Sequence, residues 1–219
     1  MRTSLLLLLL LTAPPALAAQ QPERSVFVIR RGADTVATEV LARTPTELTG
    51  TLTFRAKAAT SEWYRAVVAP DTTVALVEVN VREGADTGLV KPRVVQRTRA
   101  IFRGDSVAID DVTGNGIQTR VLATQAGAVP YLNLSFGLLE QAIRRATVPG
   151  RDTVKVAFFN LSGGAGQGGG VTVVGTVSRV GADSVALELG SVEFRMRVDA
   201  AGRLLGGAIP AQRLTFERQ

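Results

Sequence analysis

The chain has 219 residues, a formal net charge of +6, no cysteine and no histidine. That inventory removes the usual ligands of zinc, copper, haem and iron–sulfur clusters, every cysteine nucleophile and every histidine general base. It also removes disulfides, so stability rests on one packed core, which a domain of about 200 residues can build.

The first residues read as an address. Arg2 is a short basic region, Leu5 to Leu11 is an unbroken leucine run, Pro14-Pro15 breaks it, and Ala16-Leu17-Ala18 supplies small residues for cleavage. The pattern predicts a signal peptide over 1–18, with an apolar run too short to span a bilayer. A linker over 19–24 and one domain over 25–219 follow. No cysteine succeeds the leader, so no lipid anchor is expected. The mature protein is expected in the periplasm or outside the cell.

The body of the chain reads as short strands. Ser25–Arg30 is apolar, and Asp34–Leu41 follows a Gly32-Ala33 turn. Glu47–Arg55 alternates, with Leu48, Leu52 and Phe54 opposite Glu47, Thr49, Thr51 and Thr53. Glu62–Ala69 carries Trp63 beside Tyr64, and Thr73–Arg82 alternates again. Arg93–Arg103 is long and basic, Ser106–Asp110 is short, and Asn115-Gly116 predicts a type I′ hairpin turn into Ile117–Thr124. After one interruption come Thr153–Phe159, Val171–Val180, Ser184–Leu189, Val192–Val198, Arg203–Ile209 and a last strand with Leu214 and Phe216. Period-two alternation with one polar face describes an antiparallel meander, buried on one side and solvated on the other.

The interruption is the one convincing helix, Val129 to Thr147, centred on about 130–147. At 100° per residue, Leu132, Phe136, Leu139, Ala142, Ile143 and Ala146 share one arc, widened by Leu138, Tyr131 and Ser135. Asn133, Gly137, Glu140, Gln141 and Arg144 fall opposite. Pro130 suits the first turn, Glu140 and Arg144 form an i,i+4 pair, and Pro149-Gly150 stops the helix. The apolar face covers about half the circumference, which suits a helix cupped by a curved sheet. The expected fold is mainly β (α+β): a curved antiparallel meander forming an unclosed barrel around one central helix.

Several motifs carry less than they first suggest. Gly163 to Gly170 looks like a phosphate loop, but a strand follows it and no lysine is near, so it reads as a hairpin loop. The scattered Gly-Ala-Asp-Thr/Ser patterns at Gly32, Gly84 and Gly181 read as turn chemistry. Asp110-Asp111 has no further acids tied to it by spacing, and an EF-hand pattern is missing. Asn133-Leu134-Ser135 and Asn160-Leu161-Ser162 match a glycosylation sequon by chance in a bacterial-looking exported chain. No serine-hydrolase motif is present. Arginine-rich strands suit anionic headgroups or phosphates, but the joint bias to Arg, Ala, Val and Gly reads first as the mark of a GC-rich genome, and the low aromatic content argues against nucleic acid.

The leader, the meander, the helix and the closing Val198-Asp199-Ala200-Ala201-Gly202-Arg203-Leu204-Leu205 hairpin together resemble the exported bacterial half-barrel proteins, which include periplasmic lipoprotein carriers and uncharacterised relatives. The resemblance implies a curved sheet that wraps a helix and holds acyl chains, and it transfers no individual functional residue. The expected function is non-enzymatic: binding or carrying a lipid-like apolar ligand between sheet and helix, with no cofactor and no metal. Phe136, Leu139 and Ile143 would line that cavity from the helix, with Trp63 and Val173 from the sheet. The alternative is an envelope structural or protein-interaction domain with a solid core and no ligand. A membrane-spanning barrel is disfavoured by weak aromatic girdles, the mid-chain helix and the Glu217-Arg218-Gln219 ending.

Overall fold

The computed structural model describes residues 21–55, 59–86, 89, 91–147, 150–162 and 170–219. The expected leader and all but the last residue of the Gly163–Gly170 loop lie outside them. The strands are β1 (Glu23–Arg31), β2 (Asp34–Arg43), β3 (Glu47–Phe54), β4 (Thr60–Val68), β5 (Val74–Glu83), β6 (Arg93–Arg103), β7 (Ser106–Thr113), β8 (Gly116–Ala123), β9 (Val129–Tyr131), β10 (Thr153–Asn160), β11 (Thr172–Arg179), β12 (Ser184–Leu189), β13 (Val192–Val198), β14 (Leu204–Ile209) and β15 (Leu214–Arg218). One α-helix, α1 (Phe136–Ala146), lies between β9 and β10.

All fifteen strands belong to one sheet, in the order β8-β7-β6-β5-β4-β3-β2-β1-β15-β14-β13-β12-β11-β10-β9. The first and last strands, β1 and β15, meet at its centre, with Phe27 opposite Arg218 and Ile29 opposite Phe216. Each half is an antiparallel meander running outward from that seam. Among the described residues only the pairing of β9 with β10 is parallel, because α1 carries the chain across between them. The sheet curls round the helix, and its two wings meet through side chains rather than a ladder. Phe102 on β6 packs edge-on against Phe159 on β10 at 5.7 Å, and the Thr172 hydroxyl bonds that of Thr124 at 2.8 Å. The result is the mainly β, unclosed barrel around one helix that the alternation pattern predicts.

The helix is shorter than its periodicity suggests. Pro130 sits not in a first helical turn but in β9, opposite Phe159. A proline has no N–H for a ladder, so a three-residue edge strand accommodates it. Leu134 then takes a left-handed φ of 62°, which keeps the segment before Ser135 out of the helix. The β7–β8 turn also differs. Thr113 pairs with Gly116 around Gly114-Asn115, and Asn115 does not have the positive φ that a type I′ turn centred on Asn115-Gly116 requires.

The core fills the space between sheet and helix. Phe136 stacks on Phe216 with ring centroids 3.9 Å apart, and Phe27 lies 5.5 Å from Phe136. Leu138, Leu139, Ala142, Ile143 and Ala146 are buried with them. The opposite face of the helix is buried too. Gly137, Glu140 and Gln141, which fall opposite the apolar arc, are each enclosed. The sheet wraps far enough to cover them, and it supplies polar partners for them from β2, β14 and β15.

Candidate functional site

Two buried polar clusters fix the helix and therefore decide what it can do. Glu39 on β2 faces the helix N-terminus with no exposed surface. Its carboxylate accepts hydrogen bonds from the Tyr64 hydroxyl at 2.7 Å, the Ser135 hydroxyl at 2.9 Å, Phe136 N–H at 2.8 Å and Gly137 N–H at 3.2 Å. A strand side chain thus does the work of a helix cap, while Ser135, at the cap position, makes no cap bond of its own. Burial raises the Glu39 pKa above its ordinary value, and the four hydrogen bonds oppose the rise. Burial, followed by the Glu39 charge, pushes the Tyr64 hydroxyl well above its usual range, so it remains a donor. Tyr64 fits only because two glycines flank it. A Cβ at Gly50 would lie 2.2 Å from its ring, and one at Gly137 would lie 2.4 Å from its hydroxyl.

The second cluster centres on Glu140, 1% exposed. Its carboxylate accepts the Leu204 N–H at 2.9 Å and pairs with Arg144 at 2.9 Å, with Arg43 at 3.4 Å and with Arg218. Arg43 also donates to Gln141 at 2.6 Å and to the Gly137 carbonyl at 3.2 Å. Arg218 lies over the Phe27 ring at 4.9 Å. These contacts tie α1 to β2, β14 and β15. One buried carboxylate thus serves three guanidiniums, and the half-exposed Glu23 reaches two of them, Arg144 at 4.0 Å and Arg218 at 3.6 Å.

The expected cavity residues divide accordingly. Phe136, Leu139 and Ile143 come together, but inside the packed core. Val173 on β11 pairs with Phe158 on the helix side of the sheet, at the rim, and is 36% exposed. Trp63 does not join them. Its neighbour Tyr64 is the residue that faces the helix, so strand alternation turns Trp63 to the outer face.

There Trp63 lines a groove of about 750 Å³ that crosses β4 to β8. Trp63, Val94, Val112 and Ile117 give it apolar surface, and Asn80, Arg82, Arg97, Arg99, Glu78 and Asp110 give it polar groups. The register explains the layout. One row across the outer face runs Trp63, Asn80, Arg97, Val112, Ile117, and its neighbour runs Arg65, Glu78, Arg99, Asp110, Thr119. Glu78 is engaged by Arg65 at 3.4 Å, and Asp110 accepts the Thr119 hydroxyl at 2.7 Å. Among the described residues Arg82, Arg97 and Arg99 form no ion pair. Arg99 lies between the two acids, whereas Arg97 has Asn80 and Val112 as cross-strand neighbours. The groove therefore offers apolar surface with an uncompensated guanidinium beside it.

Asp110 and Asp111 point to opposite faces. Asp111 is buried on the helix side, bonded by the Thr98 hydroxyl at 2.6 Å and by Arg120 at 2.5 Å. Among the described residues no group of three acids converges as a metal site. The sequence did carry a signal for the groove: Arg97 and Arg99 alternate on the basic strand. What it lacked was the register that places Trp63, Val112 and Ile117 beside them.

A solved structure of a DUF1089 family protein from Pseudomonas aeruginosa is similar to this chain, with a TM-score of 0.59 and 16% sequence identity, over 80% of this chain and 91% of that one. At that identity the likeness speaks for the mostly β fold alone. No protein-family model and no curated protein matches the chain.

Proposed function

We propose that this is a non-enzymatic exported protein that binds a lipid-like ligand, an acyl chain carrying an anionic headgroup, in the outer groove across β4 to β8. The observation that carries the reading is the juxtaposition of Trp63, Val94, Val112 and Ile117 with the unpaired Arg97 and Arg82. Apolar surface would contribute about 25 cal/mol per Å² buried, and the guanidinium would orient the headgroup. The volume falls in the range of small-molecule sites, about 300–1,000 Å³. The leader-like pattern over 1–18 supports a periplasmic or secreted location, where such ligands must be handled in water. The resemblance of the sequence pattern to half-barrel lipoprotein carriers points to the same class of ligand, although here the interior is filled and the outer face offers the space.

Trp63 is the chain's single tryptophan, so it reports on the groove alone. Titrating palmitate or lysophosphatidylglycerol should give a saturable blue shift of its emission, with Arg97→Glu weakening binding about tenfold, or roughly 1.4 kcal/mol. Absence of any shift with either lipid refutes the proposal.

A second reading, a structural or interaction domain with a solid core and no ligand, is favoured by one observation. Both faces of α1 are occupied, the apolar one by Phe27 and Phe216 and the polar one by Arg43 and Arg218. It predicts a protein that never carries lipid.

A further inference from the structure

Among the described residues the sheet has two edges, β8 and β9, and they differ in kind. β9 is three residues long and contains Pro130, two features that discourage further pairing. β8 is eight residues long and contains no proline, lysine or bulge, and its one charged side chain, Arg120, is taken up by the buried Asp111. Natural edges of that length are normally blunted, because their free N–H and C=O groups template another strand.

The direction of those groups follows from the ladder. Thr113 pairs with Gly116, and beyond the strand Thr124 N–H donates to the Asp105 carbonyl at 2.8 Å. Even-numbered residues of β8 therefore turn their backbone groups toward β7. Ile117, Thr119 and Val121 turn theirs toward the free edge. Their side chains lie on the outer face, where Ile117 is 72% and Val121 71% exposed.

We infer that β8 pairs antiparallel with β8 of a second copy, about a two-fold axis through Thr119. The register is self-complementary in hydrogen bonding, shape and charge. Thr119 meets itself, Ile117 meets the partner's Val121, and Gln118 meets the partner's Arg120, so no like charges are opposed. Moving the axis to Arg120 would set two guanidiniums face to face, which is destabilising. An isologous contact needs this self-complementarity, whereas a strand from an unrelated protein does not. Ile117 lines the outer groove, so the pairing brings an apolar residue of the partner to the end of each groove and joins the two into one trough across the axis. The inference stands apart from the ligand proposal, since the edge would pair with or without an occupant.

The absence of cysteine makes the register testable by cross-linking. In the mature protein, Thr119→Cys places two thiols on the axis with Cα atoms about 5.5 Å apart, within disulfide range. Ile117→Cys places them about 13 Å apart along the paired strands, out of range. Sedimentation equilibrium of the unsubstituted protein should give twice the monomer mass. Mild oxidation should convert Thr119→Cys, and not Ile117→Cys, into a covalent dimer. Val121→Lys, an exposed substitution that leaves the fold intact by circular dichroism, should give monomer. A monomeric parent at millimolar concentration overturns the inference. So does equal cross-linking of the two cysteine variants, or a dimer that survives Val121→Lys. In either of the last two cases another surface makes the contact.

Discussion

Glu140 is the most informative single position for stability. Its carboxylate is 1% exposed and is held by Leu204 N–H, Arg144, Arg43 and Arg218. Glu140→Gln preserves volume but replaces one accepting oxygen with an NH2 that faces guanidinium donors. Three cations then remain around a neutral group, with only the half-exposed Glu23 near two of them. Breaking a buried charge cluster from one side costs about 3–5 kcal/mol, since the remaining charges stay desolvated without compensation. That is a large share of the roughly 5–15 kcal/mol that a domain has in total. At about 2–4 °C per kcal/mol for a chain of this size, the melting temperature should fall by roughly 6–20 °C. Urea unfolding checks it: the midpoint should drop while the slope stays unchanged. A loss under about 1 kcal/mol would mean the cluster is effectively solvated and does not pin the helix, and the explanation of its buried polar face would fail.

Three further outcomes follow from the same geometry. The native Glu39 carboxyl holds its proton to higher pH than the unfolded chain, whose glutamates titrate near 4.5. Its contribution to stability is therefore fully present below that value and is lost as pH rises through the folded-state pKa. Glu39→Gln cannot titrate, so its stability profile should be flatter than the parent's just above pH 4.5; superimposable profiles would contradict the assignment. Gly137→Ala sets a helix-propensity gain of about 1 kcal/mol against a Cβ only 2.4 Å from the Tyr64 hydroxyl. The clash should win by about 1–3 kcal/mol, and a higher melting temperature would show that Tyr64 has room to move. Phe136→Leu loses its stacking on Phe216, worth about 1 kcal/mol, and should leave the lipid-induced Trp63 shift untouched. A weakened shift would return the ligand to the helix.

Strand alternation and the helical stripe were legible because each is a local pattern with a long enough run. The parallel strand β9 was not, since Val129-Pro130-Tyr131 carries no period and becomes a strand only against Phe158 and Phe159. The burial of Glu140 and Gln141 was hidden for a different reason. A helical wheel assigns its polar face to water by default, and the arginines that receive it sit about a hundred residues before it and over seventy after it in the chain. The choice between Trp63 and Tyr64 as the inward aromatic is a parity question that alternation alone leaves open. Gly50 on the adjacent strand and Gly137 on the helix decide it, by leaving space for one ring and one hydroxyl.

The central claim, that a lipid-like ligand occupies the outer groove and not the helix side of the sheet, is tested most directly by photolabelling. A diazirine-bearing fatty acid, cross-linked to the protein and mapped by peptide mass spectrometry, should mark peptides holding Trp63, Val94, Val112 or Ile117. Label on the Phe136–Ala146 helix, or no label above that on a denatured control, would contradict it.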